Sequence, residues 1–246
     1  MPNTNETGHA KNVANLEELI AFIESYGDKY NPSREDIKIP GLKALLQNGK
    51  DAIHTVNLLL PPYSNAVAAR NVAFSPLEKL ATRVLNAVKA TDTASQVDDN
   101  AKTIVRKLQG VRATPKLTED QKKELTDAGK SAKEISASQQ SFDNMLDNLD
   151  KLIQLMQTIP QYAPNEEDLK VEALQGLYDD LSAKHTAVKN ALAPLSTARI
   201  ARDEVLYKAL TGIIDIAFDT KTYIKSAFGA SSPQYKQVSG LSFRSA

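Results

Sequence analysis

One block of residues occurs twice in this chain, and this duplication constrains the fold more than any other feature of the sequence. The thirteen residues 30–42 return as residues 162–174, and six of the thirteen positions are identical. The same separation of 132 residues relates identical residues further along, from Val56 with Val188 to Arg70 with Arg202. The sequence therefore predicts two copies of one structural unit, each about half of the chain.

Apolar residues recur at helical spacing within both copies. From Leu42 to Val88, the mostly apolar positions alternate in steps of four and three residues, which is the rhythm of helices that pack against one another. The second copy keeps this spacing from Leu174 to Thr220, with polar interruptions. Convincing two-residue alternation, the mark of a half-buried strand, is absent. The pattern predicts an all-α protein, an elongated helical bundle built from two tandem, pseudo-equivalent helical units.

Turn residues and composition divide the chain into five predicted segments. Gly110 and Pro115 bound a linker between the copies. Thr118 and Gln121 have the spacing of a capping box, so we expect a helix from about residue 120 to residue 159 to open the second copy. The predicted segments are a flexible N-terminal segment over 1–13, a first helical repeat over 14–110, a linker over 111–118, a second helical repeat over 119–240 and a flexible C-terminus over 241–246.

The charge balance and the cysteine count narrow the possible partners. Thirty basic and thirty acidic residues give a formal net charge of zero at pH 7, so no overall field favours nucleic acid or an anionic membrane. The chain has no cysteine, which excludes disulfide bonds, thiolate metal sites and thiol catalysis. Its three histidines lack the Glu-x-x-His spacing that a carboxylate-bridged metal site needs on two helices. We therefore expect no metal, no cofactor and no nucleic acid.

The N-terminus and the hydropathy pattern favour a cytoplasmic protein. The first residues are polar and lack the basic and apolar regions of a secretory signal. The longest apolar run, residues 56–60, stops at two prolines and is far shorter than the ~20 residues of a membrane-spanning helix. We therefore expect a cytoplasmic location, while export by a signal-independent route remains compatible with the sequence.

The duplicated block has the character of a junction between helices. Its proline closes one helix, and its Glu-Asp pair falls in the first turn of the next, where the helix dipole favours negative charge. Its tyrosine is suited to packing the corner. A doubled active site is the alternative interpretation, but a structural role accounts for the whole motif. The predicted junction residues are Tyr30, Pro32, Glu35, Asp36, Tyr162, Pro164, Glu167 and Asp168.

Prolines interrupt the long apolar pattern in both copies, at Pro61 and Pro62 and again at Pro194. A proline inside a helix costs about 3 kcal/mol, because it removes a backbone hydrogen bond and clashes with the preceding turn. Two arrangements are compatible with this: a helical hairpin with Ser64 and Ser196 as caps, or one long helix that kinks. The unbroken phase of the apolar pattern supports the second, but we expect a break at the prolines.

Three arginines are the sharpest candidates for a binding site. Arg70 and Arg202 occupy equivalent places in the two copies, and Arg199 lies on the same apolar pattern. A guanidinium on such a face is costly unless it is paired. Their stems could pack while their heads reach solvent or a structural carboxylate. The functional alternative is that they hold a carboxylate or phosphate of a ligand or partner in bidentate fashion.

No catalytic constellation is present in the sequence. It lacks a Ser-His-Asp order, a phosphate-cradling glycine loop, a zinc-hydrolase motif and a dinucleotide fingerprint. We therefore expect that the protein is not an enzyme.

A set of short motifs resembles those of uncharacterised bacterial all-helical proteins. The motifs are Tyr-x-Pro-x-x-Glu-Asp-Leu-Lys, Ala-Arg-x-x-Arg at residues 198–202, and Lys221-x-Tyr223-x-Lys225-x-x-Phe228-Gly229. The first copy departs from the second motif, since it has Ala66-Val-Ala-Ala-Arg70 and lacks the first arginine. The resemblance covers most of both copies and implies a helical fold, but no activity or site residue.

Three classes of function are compatible with these features. The leading expectation is a non-enzymatic helical bundle that serves as a structural, assembly or partner-binding module, with a protein partner or self-association. The second is a membrane-active protein, whose best segment is the apolar run over residues 210–218 between Lys208 and Lys221. The third is a small anion-binding bundle that uses its core-facing arginines.

Overall fold

The computed structural model describes residues 6–111, 118–128 and 140–244. These residues form an all-α fold without a strand among them, which confirms the all-α part of the prediction. No described helix is long and apolar enough to cross a membrane. The helices are α1 (Glu6–Ser25), α2 (Ile39–Phe74), α3 (Leu77–Lys89), α4 (Ser95–Leu108), α5 (Glu119–Asp127), α6 (Phe142–Gln157), α7 (Val171–Tyr207), α8 (Ile213–Phe228) and α9 (Pro233–Ser239).

The first compact unit, unit 1, consists of residues 1–64 and 190–246. It contains α1, the N-terminal part of α2, the C-terminal part of α7, α8 and α9. Helix α8 packs against α1 and α9 and against the short 3-10 helix Glu35–Ile37. The shared core is apolar and well buried, and its largest members include Leu16, Leu19, Ile23, Leu42, Leu206, Ile213, Ile224 and Phe243.

The second compact unit, unit 2, consists of residues 65–189. It contains the C-terminal part of α2, helices α3 to α6 and the N-terminal part of α7. Helix α4 packs between α3 and α6, and α3 also contacts the 3-10 helix Glu167–Leu169. Its core has the same aliphatic character, with Leu77, Val84, Leu108, Leu149, Leu152, Ile153, Met156, Leu174 and Leu181 among its members.

Each compact unit draws residues from both predicted repeats. Unit 1 combines the start of the first repeat with the end of the second, and unit 2 combines the remainder of both. The chain therefore enters unit 1, builds unit 2 and returns to unit 1. Contacts between helices follow this division rather than the order of the repeats along the sequence.

The expected break at the prolines is wrong, because α2 continues through Pro61 and Pro62 and α7 continues through Pro194. All three prolines are exposed, so the carbonyl groups that lose a helical hydrogen bond face water and can be hydrated. The opposite side of both helices is occupied by packing, since Val56 on α2 and Leu195 and Ala198 on α7 form a buried cluster within unit 1. This packing offsets the cost of the prolines, and the helices do not turn back.

Both predicted flexible ends contain ordered structure. Helix α1 begins at Glu6, not after residue 13. The Asn12 side-chain amide donates to the Arg244 carbonyl at 2.8 Å, and the Arg244 amide donates to Asn12 Oδ1 at 3.0 Å. Phe243 is buried in the same unit. Helix α1 and the last described residues therefore hold each other by contacts between positions 232 residues apart, which a local pattern does not reveal.

The single long helix expected over residues 120–159 is also wrong. Helix α5 ends at Asp127, and α6 begins at Phe142 after residues 140 and 141, which are not helical. The Ser141 hydroxyl caps α6 by accepting from the Asn144 amide at 3.2 Å. The predicted capping box at Thr118 and Gln121 is present. Most of the predicted linker, residues 112–117, lies outside the described residues.

Candidate functional site

The junction before α2 is organised around a buried tyrosine in unit 1. The Tyr30 hydroxyl donates to the Ile37 carbonyl at 2.5 Å, and burial raises the pKa of Tyr30 above its ordinary value. Pro32 is buried beside it. Glu35 pairs with Lys38 at 2.5 Å on the surface. The tyrosine thus fixes the corner through which the chain enters α2.

Asp36 belongs to an ion-pair network in the same junction. Arg34 donates from Nη2 to Asp36 Oδ2 at 2.7 Å and from Nη1 to Asp219 Oδ2 at 2.5 Å. Because Asp219 lies on α8, Arg34 ties the junction to that helix. The Asp36 carboxylate is therefore bound within unit 1, through an arginine that also binds α8.

The junction before α7 has the same internal bonds in unit 2. The Tyr162 hydroxyl donates to the Leu169 carbonyl at 2.8 Å, and Lys170 pairs with Glu167 at 2.6 Å. Burial raises the pKa of Tyr162 to about 12, with a contribution from the negative charges of Asp168 and Glu166. Pro164 is half-buried in this corner.

Asp168 is held by an arginine of another helix. Arg83 on α3 donates to both carboxylate oxygens of Asp168, with Nη2 at 3.0 Å from Oδ1. This hydrogen bonding holds the pKa of Asp168 below its ordinary value. The eight predicted junction residues are therefore brought together in two groups of four, one in each unit.

The predicted arginine site is divided between the units, because Arg70 belongs to unit 2 while Arg199 and Arg202 belong to unit 1. Arg202 is 5% exposed, and it donates from Nε at 2.9 Å and from Nη2 at 2.8 Å to Asp203 Oδ1. Arg199 is half-buried on the same helix. The guanidinium of Arg202 is thus engaged by the neighbouring carboxylate.

Arg70 stacks on an aromatic ring. Its Cζ lies 3.8 Å from the centroid of the Phe142 ring, a geometry in which the ring face attracts the cation. Phe142 also packs edge-on against Phe74, with ring centroids 4.9 Å apart. Within the described part of the chain, the buried Nε of Arg70 has no hydrogen-bond partner.

His185 and Lys189 form a polar cluster with Asp143 next to this stack, and the sequence did not predict this cluster as a site. His185 is buried on α7, and its Nε2 lies 3.0 Å from Asp143 Oδ1. Lys189 donates to the same oxygen at 2.9 Å. These two bonds, with that of Lys189 the stronger influence, lower the pKa of Asp143. Among the described residues, no group of three or more metal-ligating side chains could hold a metal ion.

Unit 2 also contains a groove that was not predicted from the sequence. It lies between α3 and the junction before α7 and has a volume of about 520 Å³. Its lining mixes apolar and polar groups, and it includes Arg83, Asn86, Ala87, Tyr162, Ala163 and Glu166. The position of Ala87 beside a groove could not be predicted from the sequence, because alanine is common on helices and the groove is formed by elements distant in the chain.

Comparison with known proteins adds no family assignment. No protein-family model, no curated protein and no solved structure matches the chain. The class of protein therefore follows from the described residues alone, which form an all-α protein with two compact units.

Proposed function

We propose that this chain is a non-enzymatic, cytoplasmic structural protein that assembles with other copies of itself through the outward faces of its long helices. The observation that carries the proposal is the pair of exposed apolar side chains in unit 1, Leu58 on α2 and Ile200 on α7. They are 61% and 62% exposed, respectively.

These two side chains lie on the sides of the helices that face away from the buried cluster. On α2, Val56 and its neighbours Leu59 and Leu60 pack inward, whereas the helical repeat of about 3.6 residues per turn directs Leu58 outward. On α7, Leu195 packs inward and Ile200 lies outward by the same geometry. An exposed helix face normally carries charged residues, and we propose that these two uncovered aliphatic side chains belong to an associating face.

The charge distribution favours a second copy as the partner. Between His54 and Leu77 the only charged residue is Arg70, and residues 190–198 have none. The uncharged stretch of α2 around Leu58 can pack against an identical stretch without repulsion, as a two-fold interface requires. On α7 the uncharged stretch ends before Ile200, which has Arg199, Asp203 and Glu204 within about one helical turn. The net charge of zero adds no repulsion between whole molecules.

The proposal includes an origin by tandem duplication. The two junctions support it, because Tyr30 and Tyr162 donate to carbonyls seven residues onward in both cases. The surface pairs Glu35–Lys38 and Glu167–Lys170 support it as well. Helices α2 and α7 begin 132 residues apart, at Ile39 and Val171. Under this proposal, each compact unit joins the first half of one copy to the second half of the other.

Two other functions receive less support from the geometry. In the membrane-active alternative, α8 would leave the core, yet its Ile213, Ile216 and Ala217 are buried there. In the anion-binding alternative, Arg202 would have to release the Asp203 carboxylate. Self-assembly requires neither rearrangement, so it is the function that we advance.

The experiment is light scattering coupled to size exclusion, on the full chain, from low micromolar to sub-millimolar concentration. We expect a mass that is a multiple of the monomer and rises with concentration. Leu58→Lys and Ile200→Lys should shift the mass towards the monomer, because each places a charge on the associating face. Leu210→Lys is the matched control, since Leu210 is 75% exposed in the turn before α8. A wild-type chain that is monomeric throughout would refute the proposal.

A further inference from the structure

The groove in unit 2 has a filled counterpart in unit 1, if the duplication proposed above holds. Helices α3 and α8 both pack against the 3-10 helix of a junction. The four buried residues of α3 coincide with buried residues of α8 when the two helices are aligned with a separation of 136 residues, four more than the 132 that separate the junctions. The coinciding pairs are Leu77 with Ile213, Ala81 with Ala217, Val84 with Thr220 and Val88 with Ile224.

In unit 1, a tyrosine of α8 fills the space between the helix and the junction. The Tyr223 ring stands edge-on to the Tyr30 ring, with centroids 5.2 Å apart and an angle of 90° between the planes. The Tyr223 hydroxyl accepts a hydrogen bond from the Asn31 amide at 3.2 Å. Edge-to-face packing of two rings at this distance is favourable, so Tyr223 closes this corner of unit 1.

In unit 2, the same alignment places Ala87 at the position of Tyr223. In the junction, Tyr162 and Ala163 of unit 2 correspond to Tyr30 and Asn31 of unit 1. Ala87, Tyr162 and Ala163 all line the groove. The groove therefore includes the space that corresponds to the Tyr223 side chain in unit 1. Its volume of about 520 Å³ lies within the range of about 300–1,000 Å³ that is usual for small-molecule sites.

We propose that this groove binds a phenol group, either as a free phenolic compound or as the tyrosyl side chain of another protein chain. The ring would stack edge-on against Tyr162, and its oxygen would accept from the Ala163 amide, as Tyr223 does in unit 1. The polar rim of Asn86, Asn165 and Glu166 supplies acceptors for the phenol O–H. The Arg83 guanidinium is engaged by Asp168, which leaves the site without a strong preference for an anion.

The direct test is a titration of the full chain with p-cresol, the analogue of the tyrosine side chain, followed by amide NMR. We expect saturable shifts at Ala87, Ala163 and Leu169. Toluene should bind about fivefold more weakly, since it cannot form the hydrogen bond. A p-cresol titration that does not saturate, or equal binding of toluene, would overturn the proposal.

Ala87→Tyr should fill the groove from within. We expect this variant to lose p-cresol binding and to have a higher melting temperature than the wild type. Ala68→Tyr is the matched control, because Ala68 is exposed on α2 and does not line the groove. It should keep p-cresol binding. A lower melting temperature for Ala87→Tyr with unchanged p-cresol shifts would refute the correspondence with Tyr223.

The reciprocal experiment removes the Tyr223 side chain, which fills the corresponding space in unit 1. In the Ala87→Tyr background, Tyr223→Ala should restore p-cresol binding, with shifts now at Asn31. Tyr235→Ala in the same background should not restore it, because Tyr235 lies on α9 and contacts Lys225. Failure of Tyr223→Ala to restore binding would contradict the proposed equivalence.

A tyrosine-containing peptide separates the two sources of the phenol. Tighter binding of the peptide than of p-cresol indicates a protein partner, and equal binding indicates a free phenol. The result is independent of self-assembly. A monomeric chain that binds p-cresol would refute the assembly proposal alone, whereas an assembling chain without p-cresol binding would refute the groove alone.

Discussion

Single side chains hold the two junctions together. The repeated tyrosine was predictable as a corner residue, because it recurs with the proline and the acidic pair. Its acceptor was not predictable, since the carbonyl seven residues onward becomes available only when the intervening 3-10 helix forms. The stack of Arg70 on Phe142 was also beyond the sequence, because nothing local relates two residues so far apart in the chain.

The tyrosine hydroxyls should contribute measurably to stability. Tyr30→Phe and Tyr162→Phe each remove the donor to a buried carbonyl, so we expect each to lower the free energy of unfolding by about 1–3 kcal/mol. Urea denaturation followed by circular dichroism measures this. Tyr178→Phe is the control, because Tyr178 is only partly buried and its change should be smaller. Two unaffected variants would mean that these hydrogen bonds do not stabilise the corners.

The ion pair of Asp168 with Arg83 should make stability depend on acid pH. The folded-state pKa of Asp168 is lowered, so its stabilisation is present above the unfolded value of ~3.9 and is lost as the pH falls through the folded pKa. Arg83→Met should therefore have a lower urea midpoint than the wild type at neutral pH, and the difference should vanish in strong acid. Lys89→Met removes a charge from the same helix and should show no such pH dependence.

Helices were predictable in kind but not in extent. The apolar spacing identified the helical character of α2 and α7, and the same spacing carried the correct signal of continuity through the prolines. Local propensity argued for a break, but the burial of Val56 and Leu195 decided the outcome. For the same reason α1 starts earlier than expected, since Asn12 binds Arg244 near the other end of the chain and Val13 is buried in the core of unit 1.

Replacement of Pro194 should stabilise the protein, because α7 is helical on both sides of it. Pro194→Ala restores a backbone N–H to the helix, and we expect the free energy of unfolding to rise by about 1–3 kcal/mol. Thermal and urea denaturation provide the measurement. Pro76→Ala is the matched control, as Pro76 directly precedes α3, where a proline costs little. A destabilised Pro194→Ala variant would show that the proline is required where it stands.

At the scale of the whole molecule, the repeated block was visible in the sequence, but the way in which the chain divides into compact units was not. A tandem repeat suggests two units in series, whereas each compact unit here combines residues from both halves. Which halves pack together depends on contacts such as those of α8 with α1 and of α4 with α6. Units in series and units that combine both halves are equally compatible with the apolar spacing, so the sequence alone could not distinguish the two arrangements.

Cutting the chain between the halves should not separate them. A protease site inserted in residues 112–117 divides the chain into fragments that each contribute to both units. We expect the fragments to co-elute in native buffer after cleavage and to part in urea, as measured by size exclusion. The uncleaved chain with the same insertion is the control. Fragments that separate without denaturant would contradict the arrangement of the units.

The order in which the units close has a consequence for protein synthesis. Unit 1 begins with the earliest residues and is completed by the latest, whereas unit 2 is one contiguous segment. On the ribosome, Leu16, Leu19 and Ile23 of α1 emerge long before α8 and α9 can cover them. At ~5–20 residues per second, this apolar surface waits roughly 10–40 s. The nascent chain therefore passes through a stage in which unit 2 can be folded while the first helix still lacks α8 and α9.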